Sequence, residues 1–263
     1  MKIETLHQWP DNPNDAFKIQ QGLQGKVDIR EAALSPLHIT AVDTAHDPDL
    51  DRLFAVAVTV TYPGMIEIEK SFAVEDAVFP YIPALRSFRE GPVIIKALSR
   101  LKEEPDAVIF PGHGISHPRR FGMASHLGLW IDKPSIGCAR KILAGEHSPP
   151  DETAGDHSSL YVANVERGYV LRSKTGVKPI FISPGHKCGL RDALDIIRRC
   201  LGEYRMPDPL RLAHLYAAKY CQSTVRKLAL KNKGKQKNSP DNKTNTKITA
   251  SSISLMGIKN GME

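Results

Sequence analysis

The stretch LFAVAVTVTY (Leu53–Tyr62), the turn Tyr62-Pro63-Gly64 and the stretch MIEIEKSFA (Met65–Ala73) together decide the fold class. The first is rich in β-branched residues, which suit a pleated strand. The second alternates Ile66 and Ile68 with Glu67 and Glu69, the period-two pattern of a half-exposed strand. Pro-Gly between them marks a turn. Upstream lies a third β-rich run, His38–Asp43. Short links favour neighbour pairing, so the three runs predict an antiparallel meander.

Downstream the period changes. Arg89–Leu101 places Val93, Ile94, Ala97 and Leu98 at helical spacing. Asp106–Phe110 (DAVIF) follows as a short buried strand, then a helix over Gly122–Trp130 and a strand over Pro134–Ala139. Alternating helix and strand implies parallel pairing. A second β region is expected over Tyr161–Val165, Tyr169–Ser173 and Pro179–Ser183, and two helices, Arg191–Leu201 and Pro209–Cys221, close the body. Before the meander, Asn14 and Asp15 are candidate caps for a helix through Ala16, Phe17, Ile19 and Leu23. The expected class is α/β, with three antiparallel strands, then parallel strands, flanked by helices.

A chain of 263 residues suffices for one sizeable domain. Cys138, Cys188, Cys200 and Cys221 are scattered, without the spacing of a zinc site or a disulfide framework. Free thiols suit a reducing cytosol, and no apolar run reaches the length of a membrane span. The expectation is a soluble, cytoplasmic monomer. The net charge of +7 is unevenly placed. Residues 226–263 hold nine Lys/Arg and two Asp/Glu, while residues 1–225 balance at 27 of each. The division expected is a domain over 1–222 and a basic, disordered low-complexity tail over 223–263, which either solubilises the protein or holds phosphate nonspecifically.

Several strings carry chemistry. Phe79-Pro80-Tyr81-Ile82-Pro83 is a stiff loop with an aromatic between prolines, followed by Phe88-Arg89-Glu90-Gly91-Pro92. Asp43 finishes an apolar run, where a carboxylate needs a partner. Gly112-His113-Gly114 leads to His117-Pro118-Arg119-Arg120 and Ala124-Ser125-His126, and Gly122 and Gly137 mark places where backbone can approach a ligand. Further strings are Gly137-Cys138-Ala139-Arg140-Lys141, Ser183-Pro184-Gly185-His186 and Arg211-Leu212-Ala213-His214.

In this order, over roughly residues 9–220, the strings resemble endonuclease V of the ribonuclease H-like superfamily. The resemblance implies a ribonuclease H-like mixed sheet and a deoxyinosine 3′-endonuclease, a hydrolase acting near deaminated adenine in DNA or RNA. It implies Mg²⁺, or Mn²⁺, held by Asp43 and Glu90, with His214 at the edge of the metal site and Arg140 or Lys141 neutralising phosphate. Pro80, Tyr81, Ile82 and Pro83 would form a wedge beside a flipped-out base, and Arg89, Gly112, His117, Arg119, Gly122 and Gly137 would line the substrate site. The chain departs from the family at Pro111, where the family has a catalytic aspartate, at Arg86, where an apolar residue is usual, and at Ala84, where glycine is common. Proline cannot ligate a cation, and His113 next to it is a ligand better suited to Mn²⁺ than to Mg²⁺. The alternative function is an inosine- or distorted-duplex-binding protein with impaired catalysis; a blander one is a scaffold for protein interaction.

Overall fold

The computed structural model describes residues 2–237. Its first compact unit, residues 1–223, is built on one eight-stranded sheet in the order β3-β2-β1-β4-β5-β8-β7-β6. The meander forms as expected: β1 (His38–Asp47), β2 (Arg52–Thr61) and β3 (Glu67–Asp76) pair antiparallel. Helix α2 (Arg86–Leu98) then leads to β4 (Ala107–Phe110), and α3 (Met123–Ile131) to β5 (Ser135–Ala139), with β1, β4 and β5 parallel. Parallel pairing stops there. Strands β6 (His157–Val162), β7 (Val165–Leu171) and β8 (Ile180–His186) extend the sheet antiparallel to β5 and to one another.

Period-two burial assigns the two faces of this sheet. Val56, Val58 and Val60 of β2 join Ile39, Ala41 and Ile109 on one face, under α4 (Leu190–Arg199) and the first turns of α5 (Asp208–Lys237), through Ala193, Ile197, Ala213 and Ala217. Ala55 and Ala57 turn the other way with Val42, Val108 and Phe110, against Val93, Ile94 and Leu98 of α2 and Leu127 of α3. Both faces are therefore covered, which explains why β2 is buried along nearly all its length.

Several expected boundaries move. α1 (Pro13–Leu23) is capped by Asn12, whose side chain accepts from Asp15 N, rather than by Asn14 or Asp15. Helix α2 starts at Arg86, so Glu90 sits in its second turn, not its first. Asp43 lies inside β1, opposite Val56, instead of ending the strand. β1 runs on because β2 supports it to Arg52, whereas pairing with the shorter β4 ends at Ala41–Ile109. Asp43 is thus left beside an unfilled edge of the sheet. Helix α5 continues to Lys237, well beyond Cys221, so residues 223–237 are helical rather than the unstructured tail expected there; residues 238–263 lie outside the described part. No helix among the described residues is long and apolar enough to cross a membrane.

Candidate active site

The early end of β4 opens a cleft of about 600 Å³ at the carboxyl ends of the parallel strands. That volume falls within the range of ligand-binding cavities, and the position is where open α/β sheets place their ligands. Asp43 and Thr44 of β1, Arg86 of α2, Pro111 after β4, Arg140 and Lys141 after β5, and His214 of α5 all reach it.

Asp43 and His214 form a pair: His214 Nδ1 lies 2.8 Å from Asp43 Oδ2, and the carboxylate's other oxygen accepts from Thr44 N at 2.8 Å. With its proton held on Nδ1, neutral His214 has Nε2 left to accept one. Glu90 stands behind the cleft wall and is only 6% exposed. One of its oxygens accepts from Thr44 Oγ1 at 2.8 Å and the other from Arg86 Nε at 2.5 Å. Asp43 and His214 therefore meet in the cleft, whereas Glu90 is linked to Asp43 only through Thr44 and is covered by a guanidinium.

Arg86 also donates from Nη1 to the Pro111 carbonyl at 2.6 Å. Burial works against its charge, but the carboxylates of Glu90 and Asp43 outweigh that and hold its pKa above the ordinary arginine value. Arg140 and Lys141 are exposed and form no ion pair among the described residues, so both charges are available to a phosphate. His113 lines the cleft with both ring nitrogens engaged, Nε2 with Lys141 O at 3.1 Å and Nδ1 with Ser116 Oγ at 3.2 Å. Burial depresses its pKa to about 4, which keeps it neutral.

The proline loop stands at the rim. Tyr81 is 67% exposed, Pro80 and Pro83 are exposed, and Phe79 is buried as the anchor. Ile82 packs partly against the Phe79–Phe88 cluster rather than facing outward. The loop closes through Ala84, which adopts the left-handed φ of 66°. Its carbonyl accepts from three side chains: His117 Nε2 at 2.9 Å, Gln20 Nε2 at 3.1 Å and Arg119 Nη2 at 3.2 Å. His117 Nδ1 meanwhile accepts from Arg119 N at 3.1 Å, so its proton sits on Nε2. His117, which also lines the cleft, and Arg119, which does not, are thus both braces of the loop. Arg89 is placed elsewhere again, donating to Phe79 O at 2.6 Å and meeting His46 at 3.1 Å. The other motif histidines are also occupied in packing: His126 is fully buried against His7 and Ser87, and His186 links Asp28 to Asp132.

Two glycines are needed for close approach. A Cβ on Gly122, which precedes α3, would meet His113 O at 2.2 Å. One on Gly137, inside β5 rather than at its end, would meet Gly112 O and Gly114 N at 2.7 Å. Both therefore hold the loop after β4 against its neighbours; Gly122 also lines the cleft, as does Gly112, which itself has room. Thr44 is a site residue that motif reading missed; its only signal is a hydroxyl next to Asp43 in β1.

Known proteins share this arrangement of elements. Residues 21–215 match the Endonuclease V family. The endonuclease V of Methanothrix thermoacetophila is 43% identical over 228 residues, covering 85% of this chain and 99% of the relative. The crystal structure of Streptomyces avermitilis endonuclease V superposes with a TM-score of 0.79 at 32% identity, covering 86% of this chain and all of that one. In fold the chain is also similar to Ciona intestinalis endonuclease V, solved with a 23mer DNA containing an inosine followed by a ribo-adenosine, at a TM-score of 0.73 and 24% identity, over 80% of this chain and 97% of that one. The sheet, the cleft at the end of β4 and a match along most of the chain agree, and this protein belongs to the endonuclease V family of nucleases.

Proposed function

We propose that the protein acts on nucleic acid at deaminated adenine, taking an inosine- or deoxyinosine-containing strand into this cleft and hydrolysing a phosphodiester bond nearby. The observation that carries the reading is the convergence of Arg86, Arg140 and Lys141 with the Asp43–His214 pair in one cleft, beside an exposed tyrosine on a braced loop. Cations meet the phosphate, an aromatic face replaces the stacking lost when a base leaves the helix, and loop backbone at Gly112 borders the space for that base.

Magnesium or manganese is the cofactor implied by the family resemblance. The donors do not fit one in this arrangement. Both Glu90 oxygens are engaged, Asp43 Oδ2 is paired with His214, and Pro111 offers a carbonyl already bonded to Arg86. Among the described residues, no three His, Cys, Asp or Glu side chains are grouped to hold an ion. What remains is side-chain chemistry. His214 Nε2 is free to take a proton from an attacking water, with Asp43 fixing the tautomer and stabilising the imidazolium that results. Arg86, Arg140 and Lys141 can take up charge developing on the phosphate oxygens.

The ion pair over Glu90 and the proline at 111 favour a second reading, recognition of the altered strand with slow cleavage. Incubation with inosine-containing and matched adenine-containing DNA and RNA, in Mg²⁺, Mn²⁺ or EDTA, separates the two. Cutting confined to inosine strands supports hydrolysis. Selective binding without cutting supports the second reading, and no preference for inosine strands removes both.

A further inference from the structure

We propose that Arg86 is the resident cation of this cleft: its guanidinium takes the place of a divalent ion against Glu90 and Asp43, and presents its remaining N–H groups to a phosphate. The inference rests on the reading of the cleft as a nucleic-acid site. A buried carboxylate requires a counter-charge and filled hydrogen-bond positions. Glu90 receives both from inside the chain, the charge from Arg86 Nε at 2.5 Å and the second hydrogen bond from Thr44 Oγ1. Asp43 adds to the field that holds Arg86 protonated.

The replacement is anchored on its far side as well. Where the resemblance implies an aspartate, the chain has Pro111, and Arg86 Nη1 donates to that residue's own carbonyl. A carboxylate at 111 would be a further anionic ligand; a backbone carbonyl is a neutral acceptor that suits a guanidinium corner. Arg86 and Pro111 therefore act as a pair, one supplying a fixed cation and the other removing a ligand that a mobile cation would need. A planar guanidinium has five donors in a fork. Nε and one Nη1 hydrogen are used, which leaves Nη2 and the second Nη1 hydrogen on a side chain that lines the cleft and is 37% exposed. Those donors suit a phosphodiester oxygen, to which arginine binds in a bidentate manner.

The first test is a Mn²⁺ titration of the full protein, without nucleic acid, read by electron paramagnetic resonance. The expected result is no stoichiometric site in the wild type and one site in Arg86→Leu/Pro111→Asp. The second is fluorescence anisotropy with a labelled inosine-containing oligonucleotide. Affinity should be the same in EDTA and in Mg²⁺, and Arg86→Gln should weaken it about tenfold, as loss of one charge-assisted phosphate contact does. A stoichiometric Mn²⁺ site in the wild type overturns the proposal, as does loss of strand affinity in EDTA. Both measurements use the wild-type chain, so they decide even if a variant misfolds. Equal binding of adenine-containing strands would refute the deaminated-base reading, while the Mn²⁺ result would still judge the cation.

Discussion

Glu90→Gln is the most informative single change, because it removes the charge under Arg86 while keeping nearly the same shape. The pair is close, 2.5 Å between Arg86 Nε and Glu90 Oε1, and Glu90's side chain is 8% exposed. Charges about 4 Å apart at an effective dielectric constant of about 20 attract by about 4 kcal/mol. Arg86 is 37% exposed, so water screens part of this, and about 2 kcal/mol is the expected loss. The Thr44 hydroxyl would retain an acceptor in the amide oxygen, which keeps that hydrogen bond out of the difference. Urea unfolding should place Glu90→Gln about 2 kcal/mol below wild type, a melting-temperature fall of roughly 4–8 °C for a chain of this size. A double-mutant cycle with Arg86→Gln should return a coupling of about 1–2 kcal/mol. A coupling within about 0.3 kcal/mol of zero would refute the ion pair and, with it, the account of Glu90 as a carboxylate neutralised by the protein itself.

Other expectations are independent of that pair. Tyr81→Ala should leave stability within about 0.5 kcal/mol while weakening inosine-strand binding by about 1–3 kcal/mol in anisotropy titrations, since the ring is exposed and stacking is what it supplies. Ala84→Gly should raise the unfolding free energy measured in urea by about 0.5–1 kcal/mol, because a Cβ is strained at φ 66°. Burial lowers the pKa of His117 from 6.5 to about 4, so between those values the unfolded chain binds a proton that the folded one refuses. Stability should therefore fall as pH drops from 7 to 5, by at most about 2 kcal/mol from this group, and Asn in its place should flatten that slope in urea titrations. Deleting residues 224–263, which contain the basic run from Arg226, should weaken nucleic-acid binding mainly at low salt, measured as the slope of affinity against salt.

How legible the site was in sequence varied by residue. The meander was plain because Leu53–Tyr62 is rich in β-branched residues and Ile66–Glu69 alternates apolar with charged side chains, and the structure sorts β2 into two separate faces. Asp43 was identified as a site residue but placed at a strand end, because the length of β1 is set by its partner β2 and not by its own residues. The histidines and arginines of the motifs could not be sorted by spacing. His117, Arg119 and His214 look equivalent in a string, yet the first two brace Ala84 and the third faces Asp43, a distinction made by partners far away in the chain. Arg86 was visible only as a departure; its meaning required seeing Glu90 and the Pro111 carbonyl on either side of it. The basic segment after Cys221 read as unstructured for lack of an apolar stripe, although Arg226, Lys227, Leu228, Ala229 and Leu230 are all strong helix formers, and the helix continues through them.

The brace on Ala84 has a consequence for selectivity. Its carbonyl is held from α1 through Gln20 and from the segment after β4 through His117 and Arg119, so two separate parts of the chain fix the loop's base. Under the proposed function, a loop fixed in this way does not bend to meet a duplex, and the duplex distorts to meet Tyr81. The energy of that distortion then depends on the nucleic acid alone, and is least where the base is mismatched, weakly stacked or already in a single strand. Among strands carrying the same altered base, those easiest to open should therefore be taken first, a preference written in the mechanics of the helix and read without touching a neighbouring base.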